Sequence, residues 1–297
     1  MPALRFASRT ARPAGWYGWL ENHSEALSNM RFVPIFVVTM LLFWHGLTTA
    51  AVPSVYLEEL TTTELAAELR NGHTTIIIPV GGVEQSGPHM ALGKHNLRAH
   101  LLAGRVAQQL GNTMVAPVVA YVPEGRIDPP TEHMRFAGTI SVPESVFKAV
   151  LEAAARSLRQ HGFLDVVLIG DHGGYQGALK AVASKLNAEW AGSRARVFFI
   201  DSYYRSAQTT FVAQLKAAGL SETQIGSHAG AADTALQMAL APTSVRMERL
   251  EQAAREGRSS GTLGDPRAAS AALGQAGVEA IVQQTVAQIR AAVSSAR

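Results

Sequence analysis

From Val55 onward, short β-branched runs alternate with longer amphipathic stretches, and this alternation restricts the fold more than any other feature of the chain. Runs 74–79 (TTIIIP), 113–120, 166–169 (VVLI) and 197–200 read as strands. Stretches 96–110, 144–161, 176–190 and 278–294 read as helices, and Thr61-Thr62-Thr63-Glu64 as the capped start of a shorter one. On the helix at 144–161, Val146, Phe147, Val150, Ala154 and Leu158 read as the inward face, while 252–272 reads as a loose surface loop. Strands alternating with helices of this length predict an α/β fold, a three-layer α/β/α domain around a mainly parallel sheet. In such sheets ligands gather where strands end and helices begin. No Gly/Pro/Ser-rich linker or repeat divides residues 52–297, so they read as one domain.

Residues 1–51 read as a leader. The stretch 32–51 carries no charge, is most apolar over 35–44, follows Met30-Arg31 and ends in Thr48-Thr49-Ala50-Ala51. A basic start, an apolar run and small residues at the end describe a signal peptide. Residues 1–29 are polar and unpatterned, which fits a true start at Met30. The expected product is exported, in all readings outside the cytoplasm and by preference periplasmic. The alternative is a membrane anchor formed by 32–51, since about 20 apolar residues span a bilayer. Pro34, His45 and the Thr/Ala-rich end favour cleavage, after which no membrane attachment is expected.

Charge excludes one class of partner. The chain has 26 Lys+Arg against 23 Asp+Glu, a net +3, and four arginines against two glutamates put +2 of that in the leader. The body offers no electrostatic footprint for nucleic acid. It also has no cysteine, which rules out disulfides, thiolate zinc sites and a Cys nucleophile. A metal would have to be held by carboxylates and by some of the ten histidines, eight of which follow residue 51.

Three loops at predicted strand or helix ends carry such groups. The first runs from Pro79-Val80-Gly81-Gly82-Val83-Glu84 through His89 to Gly93-Lys94-His95-Asn96. The second is Gly170-Asp171-His172-Gly173-Gly174, directly after VVLI. The third is Ser227-His228-Ala229-Gly230-Ala231-Ala232-Asp233-Thr234, opening a helix. Carboxylate and imidazole side chains converging from separate strand ends suit Zn²⁺ or Mn²⁺ in a hydrolytic site, where the ion lowers the pKa of a bound water to about 7. Taken singly, each residue has a plainer reading. Glu84, His95, His228 and Asp233 are all placed to cap or satisfy loops and helix starts, Asp171 reads as a turn residue or a group supporting the ligands, and His89 reads as loop support.

Together with Glu132-His133-Met134-Arg135-Phe136-Ala137-Gly138-Thr139-Ile140 and Gly264-Asp265-Pro266, these loops resemble the creatininase (creatinine amidohydrolase) family in order and over most of the domain. The resemblance implies an amidohydrolase in which Glu84 and His172 are metal ligands. Ser86 stands where the family has a ligand His, and His95 where it has a ligand Asp that bridges two ions. The implied set is therefore Glu84, His95 and His172, with Asp233 as a further ligand or a supporting group. A neutral imidazole has one free lone pair, so His95 cannot readily bridge, and one tightly held ion is expected. The expected ion is Zn, with Mn or Fe as alternatives.

By the same resemblance, Glu84 and His228 are the catalytic groups, with His228 moving a proton to the leaving nitrogen, while His133, Gly173 and Gly174 contact substrate. Members acting on creatinine carry a carboxylate where this chain has Gly174, so another small cyclic or formylated amide is expected, attacked by a metal-bound hydroxide. A homo-oligomer, a hexamer by family habit, is implied. The rival is a catalytically degenerate extracytoplasmic protein that binds a metal or small ligand, motivated by Ser86 and Ala231. A nucleotide enzyme is set aside, because Gly81-Gly82 lacks both G-x-G-x-x-G and the P-loop lysine.

Overall fold

Four strands, β1 (Thr75–Val80), β2 (Thr113–Val115), β3 (Asp165–Gly170) and β4 (Arg196–Phe199), pair in the order β2-β1-β3-β4. Every pairing is parallel, with Thr75 opposite both Thr113 and Asp165, and Asp165 opposite Arg196. The structure, a computed structural model, describes residues 54–296. The expected signal peptide, start at Met30 and alternative anchor lie outside them. Among the described residues no helix is long and apolar enough to cross a membrane.

The helices are α1 (Thr62–Arg70), α2 (Lys94–Leu110), α3 (Glu144–Gln160), α4 (Gln176–Glu189), α5 (Ser202–Gln208), α6 (Thr210–Ala217), α7 (Glu222–Ile225), α8 (Ala231–Leu240), α9 (Leu250–Glu256) and α10 (Ala271–Ser295). Strand side chains alternate between the two faces of the sheet. Ile76, Ile78, Val80, Val166 and Leu168 pack with Phe147 and Leu151 of α3 and Leu179, Val182 and Leu186 of α4. Ile77, Val167 and Ile169 face the other way, onto Leu102 and Val106 of α2, Phe211 of α6, Leu236 of α8 and Ile281 of α10. Helices on both faces explain why β1 and β3 are buried along their whole length and contain unbroken apolar runs. The α/β/α layering expected from the sequence is the observed one.

Local signals acted where they were legible. Thr61 Oγ1 accepts the Glu64 amide while Glu64 accepts the Thr61 amide, so the capping box starts α1. Four expectations need correction. On α3, Val146 and Val150 are each 48% exposed, whereas Phe147, Leu151 and Ala155 are fully buried, because the inward stripe is set one residue round the helix. The run 113–120 pairs continuously only to Val115. Pro117 has no amide for a ladder, and Val119 rejoins through a bridge to Val80. Helix α2 begins at Lys94, so Lys94 and His95 sit on its first turn and not in the loop. Residues 252–272 are no loose loop: they contain part of α9 and two short helical turns, Thr262 is buried, and Leu263 pairs with His228.

Candidate metal centre

The exits of β1 and β3 are tied together by Tyr175. Its hydroxyl lies 2.9 Å from the Val80 carbonyl and 2.7 Å from that of Gly81, and it accepts the amides of Asp171 and His172 at 3.1 and 3.0 Å. Beyond β1 the chain turns through Gly82, at φ +148°, where a Cβ would come within 2.6 Å of Glu124 Oε1. Glycine there lets Glu124, from the loop after β2, approach Glu84. The Gly82 amide donates to Asn96 Oδ1 at 2.9 Å, and the Glu84 amide to the Leu92 carbonyl at 3.2 Å, fixing the loop against α2.

Glu84, Glu124, His133 and His172 come together where the strands end, each offering an atom within 4.8 Å of the others. Glu84 Oε2 is 3.3 Å from His133 Nε2 and 3.6 Å from His172 Nε2, while His172 Nδ1 is 3.7 Å from Glu124 Oε2. Both carboxylates are sealed from solvent, and the two imidazoles are about one-fifth exposed, so the cluster opens on its histidine side. Glu84 Oε2 and both oxygens of Glu124 have no hydrogen-bond partner.

Burial, with Glu84 alongside, pushes the Glu124 carboxyl up to about 9. Burial disfavours ionised Glu84 too, but Lys94, His95 and His172 outweigh it and hold that carboxyl well below the usual range. Burial depresses His172 to about 4, leaving a neutral ring at pH 7. Unpartnered buried carboxylate oxygens are costly without a compensating cation. Two carboxylates and two imidazoles also form a donor set suited to a divalent ion, so the residues present fit one.

On the other side of Glu84 lies a network of fixed charges. Lys94 Nζ is 3.3 Å from Glu84 Oε1 and 3.2 Å from Asp233 Oδ2. Arg98 donates to Asp171 Oδ2 at 2.9 Å through Nε and to Asp233 Oδ1 at 2.7 Å through Nη1. Desolvation opposes the Asp233 charge, but Lys94 and Arg98 keep its carboxyl well below the ordinary value. Asp233, expected near the metal, thus has both oxygens committed to cations, with the Ala229 amide as a further donor at 2.9 Å. It stands outside the four-residue cluster.

His95 has Nδ1 2.5 Å from Asp171 Oδ2 and Nε2 2.7 Å from Glu84 Oε1. It faces the opposite oxygen of Glu84 from His133 and His172. Asp171 takes the supporting role rather than that of a ligand: it holds His95, Arg98 and the Tyr203 hydroxyl, the last at 2.9 Å.

His228 donates from Nε2 to the Gln85 carbonyl at 2.9 Å, and its Nδ1 is 3.7 Å from Glu84 Oε1. Burial and the Lys94 charge depress it to about 3, so at neutral pH the ring is uncharged and carries its lone pair at Nδ1. The Gln85 side-chain amide lies 3.2 Å from His133 Nδ1 and 3.3 Å from His228 Nε2. Gly173 leaves no room for a side chain, since a Cβ would come within 2.6 Å of the Tyr204 hydroxyl, and the Gly174 amide donates to His172 Nδ1 at 3.2 Å. His89, read as loop support, is fully buried with Nε2 3.0 Å from Thr234 Oγ1.

Sequence reading did not single out Glu124, Gln85, Lys94 or Arg98. Glu124 had a usable signal: a carboxylate between proline and glycine just after a strand. The cations had a weaker one, a Lys and an Arg four residues apart at a helix start.

A parallel α/β/α sheet whose strand exits gather carboxylates and imidazoles defines a scaffold for a divalent-metal centre. The creatininase family, described as creatinine amidohydrolase, matches residues 58–289, and the chain belongs to it. Among its relatives is the mycofactocin precursor peptide peptidase of Mycobacterium tuberculosis, 28% identical over 238 residues, which are 75% of this chain and 88% of that protein. The Mycolicibacterium smegmatis peptidase of the same name is 32% identical over 132 residues, 43% of this chain, and the match spans only about half (51%) of that protein. The creatinine amidohydrolase of Pseudomonas putida is 27% identical over 202 residues, 66% of this chain and 76% of that protein.

A tryptophan-to-phenylalanine variant of creatininase superposes with TM-score 0.67 at 24% identity, covering 80% of this chain and 98% of that one. A manganese form of creatininase (TM-score 0.64, 25% identity) and a Zn–Zn form of another variant (0.64, 24%) each cover 80% of this chain and 98% of theirs.

Proposed function

We propose that this chain is a metal-dependent amidohydrolase that cleaves a C–N amide bond in a small cyclic or formylated substrate. The observation that carries the reading is the set of unpartnered buried oxygens on Glu84 and Glu124, facing His133 and His172 at the strand exits. These four residues hold one divalent ion, Zn or Mn in the first instance, with Fe as the further alternative. Bound there, it supplies Lewis acidity and lowers the pKa of water to about 7. His95, expected as a ligand, lies on the far oxygen of Glu84 with both ring nitrogens engaged by carboxylates; it stands outside the four-residue cluster and steadies Glu84. His228, neutral and with Nδ1 free of hydrogen bonds, accepts a proton and returns it to the leaving nitrogen. The exposed sides of His133 and His172 admit substrate beside the Gly173-Gly174 backbone.

The peptidase names of the mycobacterial relatives support amide chemistry and bring in one competing substrate, a short peptide. The test is to count ions by elemental analysis, then assay Zn- and Mn-loaded protein by mass spectrometry on cyclic amides, formyl amides and short peptides. Metal binding with cleavage of the first two groups supports the reading, and cleavage of peptides alone moves the substrate class. No bound metal after reconstitution overturns it and favours the degenerate binding protein. The leader supports an exported, periplasmic product. N-terminal sequencing of the secreted chain is expected to begin close to Ala51.

A further inference from the structure

Lys94 is 0% exposed, and burying an ammonium group is costly unless it is well paired. Its ammonium is held between two carboxylates. Glu84 Oε1 and Asp233 Oδ2 lie at 3.3 and 3.2 Å from Nζ, and the same Glu84 oxygen has His95 Nε2 at 2.7 Å and His228 Nδ1 at 3.7 Å. On this side of Glu84 the ammonium thus bridges two carboxylates, while Glu84, Glu124, His133 and His172 are the group whose ligand atoms converge on the other.

We propose that the Lys94 ammonium is a built-in second cation that fills this position and limits the centre to a single divalent ion. The inference rests on the metal-dependent reading above. Charge arithmetic supports it: Glu84, Glu124, Asp171 and Asp233 face Lys94 and Arg98. With the carboxylates ionised an excess of negative charge remains, and His95, whose two ring nitrogens both face carboxylates, reduces it further, so the site has charge to balance no more than one divalent ion. A second divalent ion beside the ammonium would leave excess positive charge around Glu84, whose carboxylate is sealed from solvent. Geometry supports it as well, because Glu84 gives one oxygen to each cation. The helix makes the arrangement local: Lys94 and Arg98 are one turn apart on α2, so both reach Asp233.

The test counts ions on the full chain after chelation and reconstitution with Zn²⁺ or Mn²⁺, by elemental analysis and calorimetric titration. One ion is expected in wild type and in Lys94→Arg, and two in Lys94→Met, the second lost again when Asp233→Asn is added. One ion in a cooperatively unfolding Lys94→Met protein overturns the inference and leaves the metal-dependent reading standing, as do two ions in wild type. No ion in wild type overturns both. Should Lys94→Met fail to fold, the wild-type and Lys94→Arg counts still decide, two ions in either being the overturning result.

Discussion

Glu124 enters the cluster from the loop after β2 with both oxygens buried and unpaired, and only a neighbouring cation or its own proton makes that tolerable. Its replacement by glutamine should keep the fold and weaken the bound ion by about 100-fold or more, the upper end of what loss of a supporting group costs elsewhere. Competition against a fluorescent chelator reads this directly, and unchanged affinity would remove Glu124 from the ligand set. His89 makes a separate prediction about acid. Burial depresses its ring to about 4, below the ordinary value near 6.5, so the folded state binds fewer protons than the unfolded one in between. Its contribution to stability is complete above about pH 6.5 and is lost as pH falls towards 4. In chelated protein, His89→Gln should recover on the order of 2 kcal/mol of that acid loss, read from urea midpoints across the window. Equal losses in variant and wild type would exclude His89 as a source. At this scale the sequence exposed the groups that follow strands with glycine beside them, Glu84 and His172 first. It did not show which oxygen faces which cation. Asp233 looks like a ligand in one dimension, and only the helical placement of Lys94 and Arg98 shows that its oxygens are already paired.

The elements were legible because their periods differ. An unbroken TIIIPV run followed by two glycines fits a strand buried on both sides, and α3 has apolar positions at helical spacing. Two stripes competed on α3, however, one through Val146 and Val150 and one through Phe147, Leu151 and Ala155. Only contact with the sheet shows which is inward. Leu151→Ala is expected to cost about 2–5 kcal/mol, while Val150→Ala should fall within about 0.5 kcal/mol of wild type. Chemical denaturation of the pair tests the assignment, and comparable losses would contradict it. The start of α2 was misplaced for a related reason. Gly93 provides no capping side chain, so the sequence does not announce that Lys94 and His95 are already helical.

Across the whole molecule, the segment after α9 closes over the site from far along the chain. Leu263 pairs with His228, and a Cβ on Gly261, whose φ is +81°, would collide with the side chain of Gln85. Gln85 in turn reaches His133 and His228. Gly261→Ala should therefore leave far-UV circular dichroism unchanged, yet weaken metal binding and hydrolysis together by displacing Gln85. Loss of neither would show that the segment merely covers the site. This long-range closure was not readable beforehand, since a polar, glycine-containing stretch of this kind has the composition of a surface loop whether or not it packs against a site.

That closure has a consequence for how the protein acquires its ion. The groups around the centre enter from the first strand, the loop after the second, the exit of the third and the turn before α8, so no continuous piece of the chain carries a usable set. Contacts of such sequence separation form late in folding. An ion that needs all four groups would meet its full set only in a nearly folded chain, unlike the ion of small metal-organised domains. Carboxylates and imidazoles accept Mn, Fe and Zn alike in kind but bind Mn and Fe more weakly than Zn, so free concentration and site geometry act against raw affinity in setting which one is carried. The ion found in the purified protein would then depend on the compartment in which the chain folded as well as on affinity.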